Sequence, residues 1–309
     1  MRNRQYFQVD VFTATAYQGN PLAVVLDGSE LDDSEMQHFA AWTNLSETAF
    51  LLPPTHDHAD YRVRIFTPAT ELPFAGHPTL GSGHAWLQAG GQARNKNTIV
   101  QQCEIGQVEI RQQGARLAFA APPLKRTQPA PDLLGGVAQA LGLQAGQILD
   151  AQLLDNGPLW LGLLLNDPAT VLQLSPDHLA LQRLGHKVGV AAIYQDQNRP
   201  FGASLIKRSS QEALAFSSKA GNKQGSETPQ LEVRAFTAPA GILEDPVTGS
   251  LNASLAQWLI DTNRLPQQYI AAQGACLGRA GRVYIERDSQ EQVWVGGHVT
   301  NCITGSVLL

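Results

Sequence analysis

The chain says one thing twice, and that repeat restricts its fold more than any other feature. Val63-Arg64-Ile65-Phe66-Thr67 returns as Val233-Arg234-Ala235-Phe236-Thr237, with Phe66 and Phe236 170 residues apart. Each copy runs into a turn that opens a helix. The first turn is Gly76-His77-Pro78-Thr79-Leu80-Gly81-Ser82 and the second is Glu244-Asp245-Pro246-Val247-Thr248-Gly249-Ser250. Pairing Pro78 with Pro246 sets the turns 168 residues apart, lays Gly81-Ser82 on Gly249-Ser250 and leaves His77 opposite Asp245. A duplicated strand–turn–helix that differs at one ionisable residue predicts two similar half-structures facing a shared site.

The remaining pattern is rich in strands. Phe7, Val9 and Val11 alternate with polar positions, and a Gly19-Asn20-Pro21 turn leads into an apolar run. Residues 48–52, 61–66, 107–111, 115–119, 159–165, 188–194, 283–286 and 292–295 also read as strands. Residues 31–42 carry a helical pattern that Asp32, Asp33 or Ser34 can cap. The helix predicted over 79–88 is made of small residues, Gly81, Ser82, Gly83 and Ala85. Glycine is about 1 kcal/mol worse than alanine in a helix, so this one is expected to be buried in tight packing. The helix after Pro246 places Val247, Leu251, Leu255, Trp258 and Leu259 on one face. There is no βαβ alternation. The expectation is an α+β chain of two rolled antiparallel or mixed sheets, each wrapped around a central helix. The Pro-rich, aperiodic stretch 121–131 reads as a linker. It divides the chain into an N-terminal domain, 1–121 joined by the tail 297–309, and a C-terminal domain, 122–296. The polar stretch 216–230 reads as a mobile surface loop.

Composition excludes several functions. The 309 residues are 43% hydrophobic and 16% charged, with a net charge of −5. No Lys/Arg run offsets that charge, which argues against a nucleic-acid partner. Cys103, Cys276 and Cys302 form no C-x-x-C motif, so a reducing compartment and no disulfide framework are expected. The N-terminus leads into an alternating segment, not a signal core. The longest apolar run, 159–165, is far shorter than the ~20 residues that cross a bilayer. A soluble, cytoplasmic protein with no membrane partner is expected.

Three groups of residues bear on chemistry. With Pro just inside each helix and Asp245 as N-cap, the two turns present unsatisfied N–H donors and partial positive charge. Facing one cleft, they would hold an anion such as a substrate carboxylate; singly, each is also an ordinary helix start. Glu47 opens an otherwise apolar strand. Near an apolar cleft its pKa would rise towards the range of a general acid or base, although a solvent-facing Glu, or one paired with an Arg, fits that window as well. His56-Asp57-His58 has the look of a metal motif but lacks a third ligand at suitable spacing, so no metal is expected. Cys276 and Cys302 have no visible base to activate them. Neither G-x-G-x-x-G nor G-x-x-x-x-G-K is present, so no nucleotide cofactor is expected.

Taken together, these segments resemble the PhzF family, named for phenazine biosynthesis. The motifs are Asp10-Val11-Phe12 with Gly19-Asn20-Pro21, then Ser46-Glu47-Thr48, then Arg64-Ile65-Phe66-Thr67-Pro68 with Glu71-Leu72-Pro73-Phe74-Ala75-Gly76-His77-Pro78-Thr79, and finally Glu244 to Ser250. The resemblance implies the diaminopimelate epimerase-like fold, with two pseudo-symmetric domains, each a β-barrel-like roll around a central helix, and the site between them. It also implies a homodimer and cofactor-free chemistry. The family's catalytic glutamate matches Glu47. Its substrate-contacting His, Asp and Ser match His77, Asp245 and Ser250, and its two glycine backbones match Gly76 and Gly249. Related epimerases use a cysteine at each turn; here neither turn has one. Ala75 stands where many relatives have Cys, and Leu251-Asn252 replaces a commoner Ala-His, which puts Asn252 at the expected pocket rim.

The leading expectation is an isomerase that moves a hydrogen on a small cyclic carboxylate, with Glu47 shuttling the proton. The alternatives are a one-base epimerase or racemase of an amino or hydroxy acid, and a non-catalytic metabolite-binding protein. Retention of Glu47, His77, Asp245 and Ser250 argues against the last.

Overall fold

A computed structural model of the chain describes residues 1–195 and 228–309. The expected loop at 216–230 therefore lies outside the described residues, apart from Thr228, Pro229 and Gln230. The first half comprises strands β1 (Asn3–Val11) and β2 (Asn20–Val25), helix α1 (Asp33–Thr43), strands β3 (Glu47–Leu52), β4 (Tyr61–Phe66) and β5 (Glu71–Leu72), helix α2 (Gly76–Gln88), and strands β6 (Thr98–Cys103), β7 (Gly106–Gln113) and β8 (Arg116–Ala120). Then come β9 (Lys125–Thr127), α3 (Pro131–Leu141), β10 (Ile148–Asp155), β11 (Leu159–Leu165), α4 (Pro168–Gln173), α5 (His178–Leu184) and β12 (Lys187–Ile193). The last elements are β13 (Leu231–Phe236), β14 (Glu244–Asp245), helix α6 (Gly249–Asp261), β15 (Gln268–Gln273), β16 (Gly281–Arg287) and β17 (Val293–Leu308).

Strands β17, β1, β2, β3, β4, β6, β7 and β8 pair in that order, and β8 returns to β17, which closes a barrel. Its β2–β3 and β4–β6 pairs are parallel and the others antiparallel. The second ladder runs β9, β10, β11, β12, β13, β15, β16, β17, with parallel pairs at the matching places, β11–β12 and β13–β15. No pairing of β9 with β17 closes it among the described residues. Strand β17 serves both ladders: Val293–Gly296 pair with β16, Trp294–His298 with β8, and Val299–Leu308 with β1.

Each ladder encloses one helix. In α2, Gly76 to Gly83 and Ala85 are all buried. A Cβ on Gly81 would stand 2.5 Å from Leu22 Cδ2, so the barrel interior admits a helix there only if its residues are small. In α6, Leu251, Leu255, Trp258 and Leu259 are fully buried. A second apolar layer, including Val137, Leu141, Val171 and Leu181, covers the outer face of the second ladder under α3, α4 and α5. Among the described residues no helix is long and apolar enough to cross a membrane.

The short strands β5 and β14 correct the sequence alignment of the two turns. β5 pairs Phe66 with Glu71 and Ile65 with Leu72; β14 pairs Phe236 with Glu244 and Ala235 with Asp245. Glu71 and Glu244 are thus equivalent, 173 residues apart, not 168. Pro73 then answers Pro246, Gly76 answers Gly249, and His77 answers Ser250, while Asp245 answers Leu72. The repeated arginines set this register. Arg64 grips Glu71 with Nε and Nη2 at 2.7 and 2.6 Å, and Arg234 grips Glu244 in the same way at 2.9 and 2.7 Å. The Pro-x-x-Gly-Ser match was produced by the small residues that α2 needs for burial.

The helix starts are corrected as well. α2 begins at Gly76, ahead of Pro78, and α6 begins at Gly249, beyond Pro246. The N-caps are Ala75 and Thr248, and neither makes a side-chain capping bond. Asp245 is in β14 and caps nothing.

Candidate active site

The starts of α2 and α6 meet where the two ladders face each other. A Cβ on Gly249 would lie 3.1 Å from Gly76 Cα and 3.3 Å from His77 N, so the two glycine backbones pack directly against one another. With no side-chain caps, the N–H groups of Gly76, His77, Gly249 and Ser250 have no protein acceptor among the described residues. Two helix dipoles therefore converge with their positive ends free. A Gly249→Ala variant is expected to push the helix starts apart by a few tenths of an ångström. The overpacking should cost about 1–3 kcal/mol of stability, and misplacement at the site should cost up to ~10²-fold in kcat/KM. Chemical denaturation and substrate turnover measure the two effects. A variant as stable and as active as the parent would show that the contact is slack.

Around this point the structure gathers Glu47, His77, Asp245 and Ser250. His77, the second residue of α2, is 4% exposed, and its Nε2 stands 3.2 Å from Glu47 Oε2. That approach lacks hydrogen-bond geometry, and among the described residues neither atom has another protein partner. Burial lowers the His77 pKa to about 3, opposed by the Pro21 carbonyl, which accepts from the ring. The imidazole is therefore neutral at physiological pH and carries one proton. Asn20 Nδ2 also approaches Nδ1, at 3.3 Å, but spends its two hydrogens on the nearer Asp245 Oδ1 and Val247 O, at 2.9 and 2.8 Å. His77 Nε2 thus faces the Glu47 carboxyl.

Burial, reinforced by the charge of Asp245, raises the Glu47 pKa to about 8; the ammonium of Lys187 pulls the other way. Burial also raises the pKa of Asp245, against hydrogen bonds from Thr248 and Asn20 and the field of Lys187. Two neighbouring, largely desolvated carboxyls disfavour each other's ionisation. Asp245 is held on every side: Thr248 Oγ1 donates to Oδ2 at 2.5 Å, Asn20 donates to Oδ1, and Gln273 Nε2 donates to its backbone carbonyl at 3.0 Å. Ser250 is anchored from the second ladder. Trp160 Nε1 donates to its hydroxyl at 3.2 Å, and Asn156 Nδ2 donates to its carbonyl at 3.0 Å.

Sequence reasoning missed several of these supports. Asn20 drew attention only as part of the Gly19-Asn20-Pro21 turn and motif and was given no role, yet it is fully buried and ties the His77 side of the site to the Asp245 side. Gln273, Trp160 and Lys187 had no local signal, since each reaches the site from a strand far along the chain. Asn252 is corrected in the other direction. It is fully buried and donates to Thr248 O and Gln273 Oε1, both at 2.9 Å, so it supports the Asp245 turn from behind and does not form a rim. Two surface cavities of about 400 and 760 Å³, one beside Arg111 and Trp294 and one beside His56 and Arg64, include none of the site residues. The unpartnered donors and the perturbed carboxyls lie instead where the two helix starts meet. Among the described residues no group of three or more His, Cys, Asp or Glu is placed to hold a metal.

Known proteins resemble the chain over nearly its whole length. The model of the PhzC-PhzF family, described as phenazine biosynthesis-like protein, matches residues 9–305. Antisense-enhancing sequence 1 of Schizosaccharomyces pombe is 31% identical and covers 99% of each chain. The trans-2,3-dihydro-3-hydroxyanthranilate isomerase of Pseudomonas aeruginosa is 32% identical over 91% of this chain and 89% of its own. Among solved structures, a PhzF-family protein of Bacillus anthracis aligns over 100% of both chains with a TM-score of 0.79 at 20% identity. A hydroxyproline epimerase of Agrobacterium vitis aligns over 100% of this chain and 93% of its own, with a TM-score of 0.61 at 11% identity. The last two matches speak for the fold, which is the epimerase-like pair of rolls around central helices. The chain belongs to the phenazine biosynthesis-like PhzC-PhzF family, and its enzyme class is isomerase.

Proposed function

We propose that this isomerase works without a cofactor, moving a proton between two carbons of a small cyclic carboxylate, with Glu47 as the acid/base. The observation that carries this reading is a half-buried carboxyl, Glu47, facing a neutral His77 beside two uncapped helix starts. The substrate carboxylate sits at the N–H groups of Gly76, His77, Gly249 and Ser250, where both helix dipoles favour an anion. When Glu47 takes a proton from a neighbouring carbon, electron density flows into that carboxylate, and the fixed donors stabilise it without reorganising. Glu47 then returns the proton to a second carbon, and the double bonds shift. Asp245 and His77 hold the substrate ring, and Asp245 keeps the Glu47 pKa high, which makes its carboxylate a stronger base. The reading includes a homodimer in the cytoplasm, and sedimentation analysis tests the first part of that.

The order of proton transfer has a consequence for pH. The base form of Glu47 is the ionised one, and its pKa lies near 8. Accordingly, kcat/KM is expected to rise about tenfold per pH unit below 8 and level off above it. A profile that falls through pH 8 would make the neutral carboxyl the active form and overturn the order. Turnover of cyclic unsaturated carboxylic acids in D2O tests the reaction class. Movement of a double bond marks the isomerase, whereas deuterium at an inverted stereocentre with the double bonds unmoved marks an epimerase.

A further inference from the structure

Strand register gives Glu47 a counterpart in the second half. In the first ladder Glu47 pairs with Leu22 across β2–β3, and the next residue, Thr48, pairs with Phe66. In the second, Lys187 pairs with Trp160 across β11–β12, and the next residue, Val188, pairs with Phe236. Phe66 and Phe236 are the matched phenylalanines of the repeat. Lys187 therefore occupies the position of Glu47, related by the pseudo-twofold that passes between Gly76 and Gly249.

The side chain also reaches the site. Its ammonium acts electrostatically on both Glu47 and Asp245. Lys187 Nζ lies 5.8 Å from the centre of the Trp160 ring, whose N–H holds the Ser250 hydroxyl. The residue is half-buried, and no carboxylate lies within 4.0 Å of it among the described residues. Lys187 thus carries its charge beside the site with no protein carboxylate in direct contact among the described residues. Since His77 is neutral, Lys187 brings formal positive charge to a cleft that holds two carboxyls.

We propose that Lys187 is a substrate-recognition residue that pairs with a second acidic group of the substrate, on the edge of the ring opposite Glu47. A ring held by its first carboxylate at the paired helix starts lies on the pseudo-twofold. One edge then faces Glu47 and the other faces Lys187 over Trp160. The helix N–H groups complement the first carboxylate, so the ammonium is left for another anion. The substrate class that follows is a cyclic dicarboxylate or a ring acid of equal charge. This inference rests on the placement of the first carboxylate proposed above.

Calorimetric titration with benzoate, phthalate, isophthalate and terephthalate tests it. The full-length protein is expected to bind at least one of the dicarboxylates about tenfold or more tightly than benzoate. Lys187→Met should abolish that preference while leaving benzoate affinity within about twofold, and Lys187→Arg should restore it. The assignment is overturned if no dicarboxylate is preferred, if the preference survives in Lys187→Met, or if that variant loses benzoate equally. Gly249→Ala separates the two proposals. If it leaves benzoate binding untouched, the helix-start site is wrong, whatever Lys187 does; if only the dicarboxylate preference ignores Lys187, the present inference alone fails.

Discussion

Replacing Glu47 with Gln is expected to lower kcat by ~10²–10⁴-fold or more, the range that a positioned general acid/base contributes, while the protein stays folded. The amide keeps the shape of the carboxyl but cannot carry a proton between carbons. Stability should move in the opposite direction from activity. Below about pH 4.5, the ordinary value, Glu47 is neutral in both the folded and the unfolded chain. Between there and about 8 only the unfolded chain ionises, so the wild-type protein loses stability as pH rises, and above 8 the loss is complete. The Gln variant escapes that loss. It is expected to unfold at a higher temperature than wild type at pH 9, with the two converging near pH 4.5. Thermal denaturation at both pH values, together with turnover, checks both halves. Full activity in the variant would remove Glu47 from the mechanism, and equal stability at pH 9 would mean that its carboxyl is not desolvated.

The second large effect concerns the two arginine clamps. Arg234 and Glu244 have side chains only 6 and 7% exposed. Arg234 also donates to the carbonyls of Val171 and Leu174 and lies 4.9 Å from the centre of the Phe236 ring. Arg234→Met leaves Glu244 buried without its partner, and the expected loss is about 3–5 kcal/mol. The same substitution at Arg64 should cost roughly 1 kcal/mol, the upper end for a solvent-accessible pair. Although Arg64 repeats the bidentate grip and the aromatic contact, its partner Glu71 is 34% exposed, and water can replace it. Urea unfolding of the two variants, with Arg234→Met/Glu244→Leu as a third, measures the difference. The double variant should recover much of the loss, because it removes the stranded charge. Equal costs at the two sites would contradict the burial argument. Function should follow stability at Arg234, since β14 carries Asp245 next to Glu244.

Much of the fold was legible because its signals are local. Alternation marked β1, short apolar runs marked strands such as β11 and β12, and the small residues of α2 announced a helix buried inside something. Asp32 and Glu35 form a reciprocal capping pair at the start of α1, with bonds of 2.8 and 2.9 Å, within the span that the sequence marked for a cap. The six residues singled out from the resemblance all lie where α2, α6 and β3 converge. What they do there is the proposal made above.

The sequence by itself determined that the molecule has two alike halves, each built as strand, turn and helix, because those patterns depend on residues only a few positions apart. Only the tertiary structure decided how the halves match. Proline and glycine recur by chance within a few residues, whereas the Arg64–Glu71 and Arg234–Glu244 pairs admit one register, and that register sets His77 against Ser250 in place of Asp245. Only the tertiary structure, too, could place Lys187 opposite Glu47. Strand pairing compares backbone positions across the sheet, and at these two positions the side chains have nothing in common.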